Sequence, residues 1–118
     1  MRGITIQNEF RLVIATSDTV YYFTPEQIVR LESRSNYTNI YFTDRKPILI
    51  SKVLKIFDIS LSPFGFLRTH QSHLVNVRYI SAITAAGNII MDDQSTAEIS
   101  RRRKPEVLKM LREKFVRA

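Results

Sequence analysis

Residues 66–76 have the sequence FLRTHQSHLVN, in which two apolar segments flank a polar centre. Phe66-Leu67-Arg68 and Leu74-Val75 have the apolar and β-branched composition that favours strands. Similar short segments recur on both sides of this stretch, at residues 10–15, 20–23, 28–34, 40–42, 48–50, 79–83 and 89–91. The pattern predicts a mainly β protein built from short strands.

Polar residues separate these strands. Residues 16–19 predict the turn of a hairpin between the first two strands. The stretch 33–39 contains many hydrogen-bonding side chains and little to bury, so we expect an exposed connection between strands there. Ala86-Gly87-Asn88 predicts another turn.

Two small helices are predicted among the strands. The first follows Ser51, a residue type that caps helices, and ends at Pro63 and Gly65. Its apolar stripe consists of Val53, Leu54, Phe57 and Leu61. The second follows Ser100, contains Pro105 near its start, and is basic. Its stripe consists of Val107, Leu108, Leu111 and Phe115. This stripe favours packing on the domain over a membrane anchor.

The length and composition indicate a single globular domain over residues 1–118, without repeats or a linker. Apolar residues make up 44% and charged residues 25%, a balance typical of such domains. No apolar run is long enough to span a membrane, and Met1–Thr5 lack the apolar segment of a secretion signal. Cysteine is absent, which excludes disulfides. We therefore expect a cytoplasmic protein.

Positive charge is concentrated at the end of the chain. The formal net charge is +7, and residues 101–118 carry eight basic and two acidic side chains, a net of +6. The basic residues are Arg101, Arg102, Arg103, Lys104, Lys109, Arg112, Lys114 and Arg117. Such clustering indicates an anionic partner, for which duplex DNA, RNA and an acidic lipid surface all qualify.

Catalytic patterns are weak in this sequence. His70 and His73 lie three apart, but a zinc site needs three or four ligands and no third histidine is available. Asp92 and Asp93 are adjacent, which favours a hairpin tip over an acid–base pair. The three glycines are too far apart for a phosphate-binding loop. We therefore predict no enzymatic activity, no metal and no cofactor.

The basic cluster at residues 100–104 points instead to binding. Several cations in the first turn of a helix oppose the helix dipole, so helix stability does not explain their position. Free backbone N–H groups there could hold phosphate, while one arginine contacts a guanine edge through two hydrogen bonds. The cluster therefore favours contact with nucleic acid.

A family resemblance joins these segments. It is carried by residues 28–33, 36–38, 49–55, 66–76, 79–80 and 100–103. In order and spacing they resemble the LytTR domain, the DNA-binding output module of response regulators. The most specific element is the pattern R-x-H-x-S-x-L-V-N at residues 68–76, followed by S-R-R at residues 100–102. The resemblance extends over about residues 10–112.

The resemblance implies stacked short β-sheets with a central helix and a C-terminal basic helix. It also implies sequence-specific binding of double-stranded DNA through loops that enter the major groove, as the output domain of a bacterial transcription regulator in a two-component system. The family's base-reading positions fall on Thr38, Gln71 and Arg102. Positions that contact phosphates or support the readers fall on Asn36, Asn39, His70, Ser72, Arg101, Arg103 and Lys104. Glutamine at position 71 favours adenine.

Several alternatives remain open at this stage. Asn36 and Thr38 could satisfy hydrogen bonds within a turn, and His70 could be a buried histidine bonded to a backbone carbonyl. Five tyrosines in a basic β-domain would also suit a binder of single-stranded nucleic acid, and the basic helix would suit an acidic protein partner. The family usually joins this domain to a receiver domain and forms homodimers on repeated half-sites. No receiver domain is present in this sequence, which fits an excised domain or a stand-alone regulator with a separate sensor partner.

Overall fold

A computed structural model describes residues 10–115 of the chain, so Met1–Thr5 and Arg117 lie outside the described residues. The strands are β1 (Leu12–Ala15), β2 (Val20–Phe23), β3 (Ile28–Arg34), β4 (Tyr37–Phe42), β5 (Ile48–Ile50), β6 (Phe66–His70), β7 (His73–Asn76), β8 (Ile80–Ile83), β9 (Asn88–Met91) and β10 (Thr96–Glu98). The helices are α1 (Leu54–Leu61) and α2 (Lys104–Lys114). None of the helices in the described range is long and apolar enough to cross a membrane.

A five-stranded antiparallel sheet in the order β5-β4-β3-β7-β6 forms the middle of the domain. Neighbouring residues of its strands point to opposite faces, as Leu74 and Val75 do. Leu74 packs with the β1–β2 hairpin and α1 on one face. Val75 packs against the three-stranded sheet β10-β9-β8 on the other. The expected mainly β fold of stacked short sheets with small helices is confirmed.

Helix α1 buries the predicted residues Leu54, Phe57 and Leu61. The predicted cap at Ser51 is wrong, because Val53 occupies the N-cap position in an extended conformation. Ser51 is exposed in the connection from β5, and Val53 is 45% exposed, off the buried stripe. Gly65 follows the helical segment with φ of 88°, a conformation that glycine adopts without strain.

The polar stretch at residues 33–39 is mostly strand, contrary to the prediction of a connection. Strand β3 continues to Arg34 and β4 begins at Tyr37, which leaves Ser35 and Asn36 as a two-residue turn. Cross-strand pairing outweighs the polar composition because the backbones of β3 and β4 hydrogen-bond along their length. Ser35 has a φ of 58°, a left-handed conformation that costs about 1–2 kcal/mol for a residue other than glycine.

Strand β10 was not predicted, because Thr96–Glu98 contains a single apolar residue, Ala97, which is buried. The prediction for Asp92 and Asp93 is confirmed, since both lie in the turn between β9 and β10. There, an Asp93 carboxylate oxygen accepts a hydrogen bond from the Ser95 backbone N–H at 2.9 Å.

Several cations of the basic cluster were predicted to lie in the first turn of this helix, but α2 begins at Lys104, so Arg101, Arg102 and Arg103 precede it. Residues 101–103 form a separate turn before the helix. The carbonyl of Ser100 accepts from the N–H groups of Arg103 and Lys104 at 3.1 and 3.0 Å, and the Ser100 hydroxyl oxygen accepts from Arg103 at 3.2 Å. Ser100 therefore caps this turn. Val107 anchors α2 in the domain, while Phe115 lies beyond the helix and is 53% exposed.

Candidate nucleic-acid interface

Three turns that are distant in sequence meet at one end of the five-stranded sheet. They are the β3–β4 turn (35–36), the β6–β7 turn (71–72) and the basic turn (101–103). The Ser33 N–H donates to the Ser72 carbonyl at 2.9 Å, which joins the first two turns. The Ser100 N–H donates to the Thr69 carbonyl at 2.9 Å, which joins the second and third. The three turns are therefore neighbours at this end of the sheet.

The β3–β4 turn presents Asn36 but not Thr38. Asn36 is exposed at the turn, whereas Thr38 is fully buried and its hydroxyl donates to the Lys52 carbonyl at 2.7 Å. Thr38 was predicted to read a base, but in this structure its side chain does not reach the surface. Asn39 lies on β4, half-buried, and its amide donates to the Tyr41 hydroxyl at 3.2 Å.

The β6–β7 turn presents Gln71, which is exposed. Nδ1 of His70 accepts a hydrogen bond from the Ser72 N–H at 3.0 Å, so the imidazole supports the turn. The sequence had left open a hydrogen bond from His70 to a backbone carbonyl. In the structure, His70 instead accepts a hydrogen bond from a backbone amide. Ser72 itself is half-buried.

The Arg68 guanidinium also holds the β6–β7 turn, through hydrogen bonds to its backbone carbonyls. The sequence had predicted no role for Arg68. Its Nε donates to the His70 carbonyl at 3.0 Å, and its Nη2 donates to the Gln71 carbonyl at 2.6 Å. Its Nη1 lies 3.3 Å from a carboxylate oxygen of Asp58 in α1. The pairing of β6 with β7 shifts between Arg68 and His70, an irregularity that regular strand periodicity does not predict.

The basic turn presents Arg101 and Arg102, both exposed, while Arg103 and Lys104 are half-buried. Nη1 of Arg103 is 3.5 Å from the Arg68 carbonyl. Thr69, fully buried, donates to the Glu98 carbonyl at 2.8 Å and so fastens β10 to β6. Because Ser100 follows Glu98 by two residues, this bond positions the basic turn beside the β6–β7 turn.

His73 lies directly behind these turns and is buried. Burial lowers its pKa below the usual 6.5, and Arg30 and His70 lower it further, whereas Glu32 and Glu98 raise it. Its Nδ1 has no hydrogen-bond partner among residues 10–115. The rings of His70 and His73 are 5.4 Å apart, but nowhere in the described part of the chain do three or more potential ligands gather to hold a metal ion.

The chain thus combines stacked short sheets, a basic terminal helix, and exposed amide and guanidinium groups on neighbouring turns. The family model of the LytTr DNA-binding domain matches residues 18–112, and the chain belongs to that family. This confirms the resemblance on which the site residues were predicted.

Similar proteins agree with this assignment. The chain is 31% identical over 97 residues to the sensory transduction protein LytT of Oceanobacillus iheyensis, covering 77% of this chain and 39% of that protein. It is 26% identical over 107 residues to the heme-containing CO-sensing transcriptional regulator RcoM 1 of Paraburkholderia xenovorans, covering 86% and 40%.

A solved structure supports the fold. The LytTr DNA-binding domain of a methyl-accepting/DNA response regulator from Bacillus cereus matches with a TM-score of 0.74 at 22% identity, over 86% of this chain and 96% of that one. The chain spans about two fifths of the length of the curated relatives it matches.

Proposed function

We propose that this domain binds double-stranded DNA sequence-specifically by placing the three turns in the major groove. The main support is that Asn36, Gln71 and Arg102, from three separate parts of the sequence, are all exposed on turns. The Ser33–Ser72 and Thr69–Ser100 hydrogen bonds hold these turns next to one another. Turns held at fixed distances can contact bases in a fixed register, which is the condition for sequence specificity.

The side chains suit this role by their hydrogen-bonding groups. Arg102 can donate two hydrogen bonds to guanine, and Gln71 can pair with adenine through a donor and an acceptor. Asn36 takes the reading role that was predicted for Thr38, since it is the exposed amide on that turn. The remaining predicted residues support the turns or contact phosphate. Arg101, Arg103 and Lys104 serve phosphate, and Asn39, His70 and Ser72 hold the turns.

We further propose that the domain is the output module of a two-component transcription regulator. Relatives described as sensory transduction proteins and transcriptional regulators support this wider role. In this proposal a receiver or separate sensor partner controls the domain, and two copies bind repeated half-sites as a homodimer.

The single-strand alternative has less support. Stacking of successive bases needs aromatic side chains on one surface. Tyr37 lies beside the turns, but Tyr41 is covered by the Arg30 guanidinium at 3.8 Å and Tyr79 donates its hydroxyl to the Glu26 carbonyl. Tyr22 lies on the β1–β2 hairpin.

Selection from a random double-stranded library at physiological salt, followed by sequencing, tests the proposal. We expect enrichment of one short motif, recurring as direct repeats about one helical turn apart. Enrichment of no motif, together with tighter binding to single strands, would favour the alternative and reject duplex recognition.

A further inference from the structure

We propose that Arg68 is the positioning residue of the β6–β7 turn. By holding this turn, Arg68 sets the direction in which the Gln71 side chain projects from the domain. This inference rests on the proposed function, because it assigns the residue that makes Gln71 an accurate reader. Arg68 does not touch DNA in this proposal but acts through Gln71.

Covalent geometry explains why the two carbonyl contacts matter. The carbonyls of His70 and Gln71 belong to the peptide groups immediately before and after the Gln71 Cα atom. Each peptide group is planar, so fixing both oxygens restricts φ and ψ of Gln71 and therefore the direction of its Cα–Cβ bond. Arg68 holds both oxygens, at 3.0 and 2.6 Å.

The guanidinium is itself fixed. Asp58 of α1 holds Nη1 at 3.3 Å, and the Arg68 side chain is 17% exposed. All three guanidinium nitrogens therefore have protein acceptors in directions set by one rigid plane. A lysine could supply the charge but not this fork of donors. The arrangement thus connects helix α1 to the orientation of a base-reading turn.

The experiment measures binding of the whole chain to the selected duplex and to duplexes with each other base at the Gln71 position. That position is identified as the one whose preference Gln71→Ala removes. The variants are Arg68→Met and Arg68→Lys. Arg78→Met is the matched control, because Arg78 is an exposed arginine at the opposite end of β7 from the turns.

We expect Arg68→Met to weaken binding to the selected duplex by about tenfold and to remove base preference at the Gln71 position. Preference at the Arg102 position should remain. Arg68→Lys should behave like Arg68→Met, and Arg78→Met should behave like the unaltered protein. The dependence of affinity on salt should keep its slope, because no phosphate contact is lost.

Three results would overturn the inference. Unchanged base preference in Arg68→Met would show that the turn holds Gln71 without Arg68. A uniform loss across all sequences with a salt slope reduced by about one would assign Arg68 to a phosphate instead. Unchanged affinity and base preference in Arg68→Lys would show that a positive charge at position 68 is enough to position Gln71.

Folding is checked by thermal unfolding of each variant. If Arg68→Met does not fold, Asp58→Asn provides the test, since it keeps Arg68 and weakens its anchor. We expect partial loss of preference at the Gln71 position, and undiminished preference would reject the link to α1. If the parent chain selects no duplex motif, the proposed function itself is rejected. If the parent selects a motif but the Arg68 variants keep the same base preference at the Gln71 position, only this inference is rejected.

Discussion

Arg102, like Arg101, is exposed on the basic turn and does not lie on helix α2. If it contacts a base edge, Arg102→Ala should cost about 1–3 kcal/mol for the selected duplex and relax one base position. Lys109→Ala is the matched control, because Lys109 is an exposed cation on α2 and should weaken binding to all sequences alike. Fluorescence anisotropy with matched and mismatched duplexes measures both effects. Equal losses on both duplexes for Arg102→Ala would contradict base reading.

We expect the buried side chain of His73 to make the free energy of unfolding depend on pH. Its folded-state pKa lies below 6.5 because it is buried, whereas the unfolded chain binds a proton near 6.5. The free energy of unfolding should therefore be unaffected above the unfolded pKa and fall as the pH drops from about 6.5 towards the folded pKa.

The test compares the parent chain with His73→Phe by urea unfolding at pH 7.5 and pH 5. Phenylalanine fills a similar volume, and Nδ1 of His73 has no partner to lose among the described residues. We expect a smaller loss of stability in the variant on acidification. An equal loss of stability in both chains would show that His73 does not cause the pH dependence.

At the scale of elements, Thr38 and Asn36 should have opposite effects although they lie two residues apart. Thr38 fastens β4 to the connection between β5 and α1 through the Lys52 carbonyl. Thr38→Val keeps the shape and removes the donor, so it should lower the free energy of unfolding by about 1–3 kcal/mol. Base preference should not change.

Asn36→Ala should show the converse behaviour. Its side chain is exposed on the turn, so stability should change by less than about 0.5 kcal/mol. Affinity for the selected duplex should fall by about 1–3 kcal/mol. Urea unfolding and anisotropy on both variants separate the two roles. Altered base preference in Thr38→Val would restore Thr38 as a reader.

At the scale of the whole molecule, two copies on repeated half-sites should respond to the distance between the sites. Moving one site by about 5 base pairs places the second copy on the opposite face of the duplex, whereas about 10 base pairs restores the same face. If copies contact each other, affinity for the two-site duplex should fall at the first spacing and recover at the second. Fluorescence anisotropy measures the affinity at each spacing, and sedimentation measures how many copies bind the duplex. Equal affinity at both spacings would indicate that the two copies bind as independent monomers.

The amino-acid sequence was sufficient for features that depend on local pattern. Short segments rich in apolar, β-branched and aromatic residues identified nine of the ten strands in the described part. Apolar residues at helical spacing identified both helices. The order of motifs identified the family. The family resemblance also pointed to Gln71 and Arg102, and the structure has both residues exposed on turns.

The tertiary structure decided which residues face outward from those turns. Thr38 became interior because β4 pairs with β5 and brings the Lys52 carbonyl beside it, a contact between residues 14 apart in sequence. Arg68 acquired its partners because the pairing of β6 with β7 is irregular and α1 packs beside it. Hydrogen bonds across such distances depend on how strands and helices pack, and a local pattern does not contain that information.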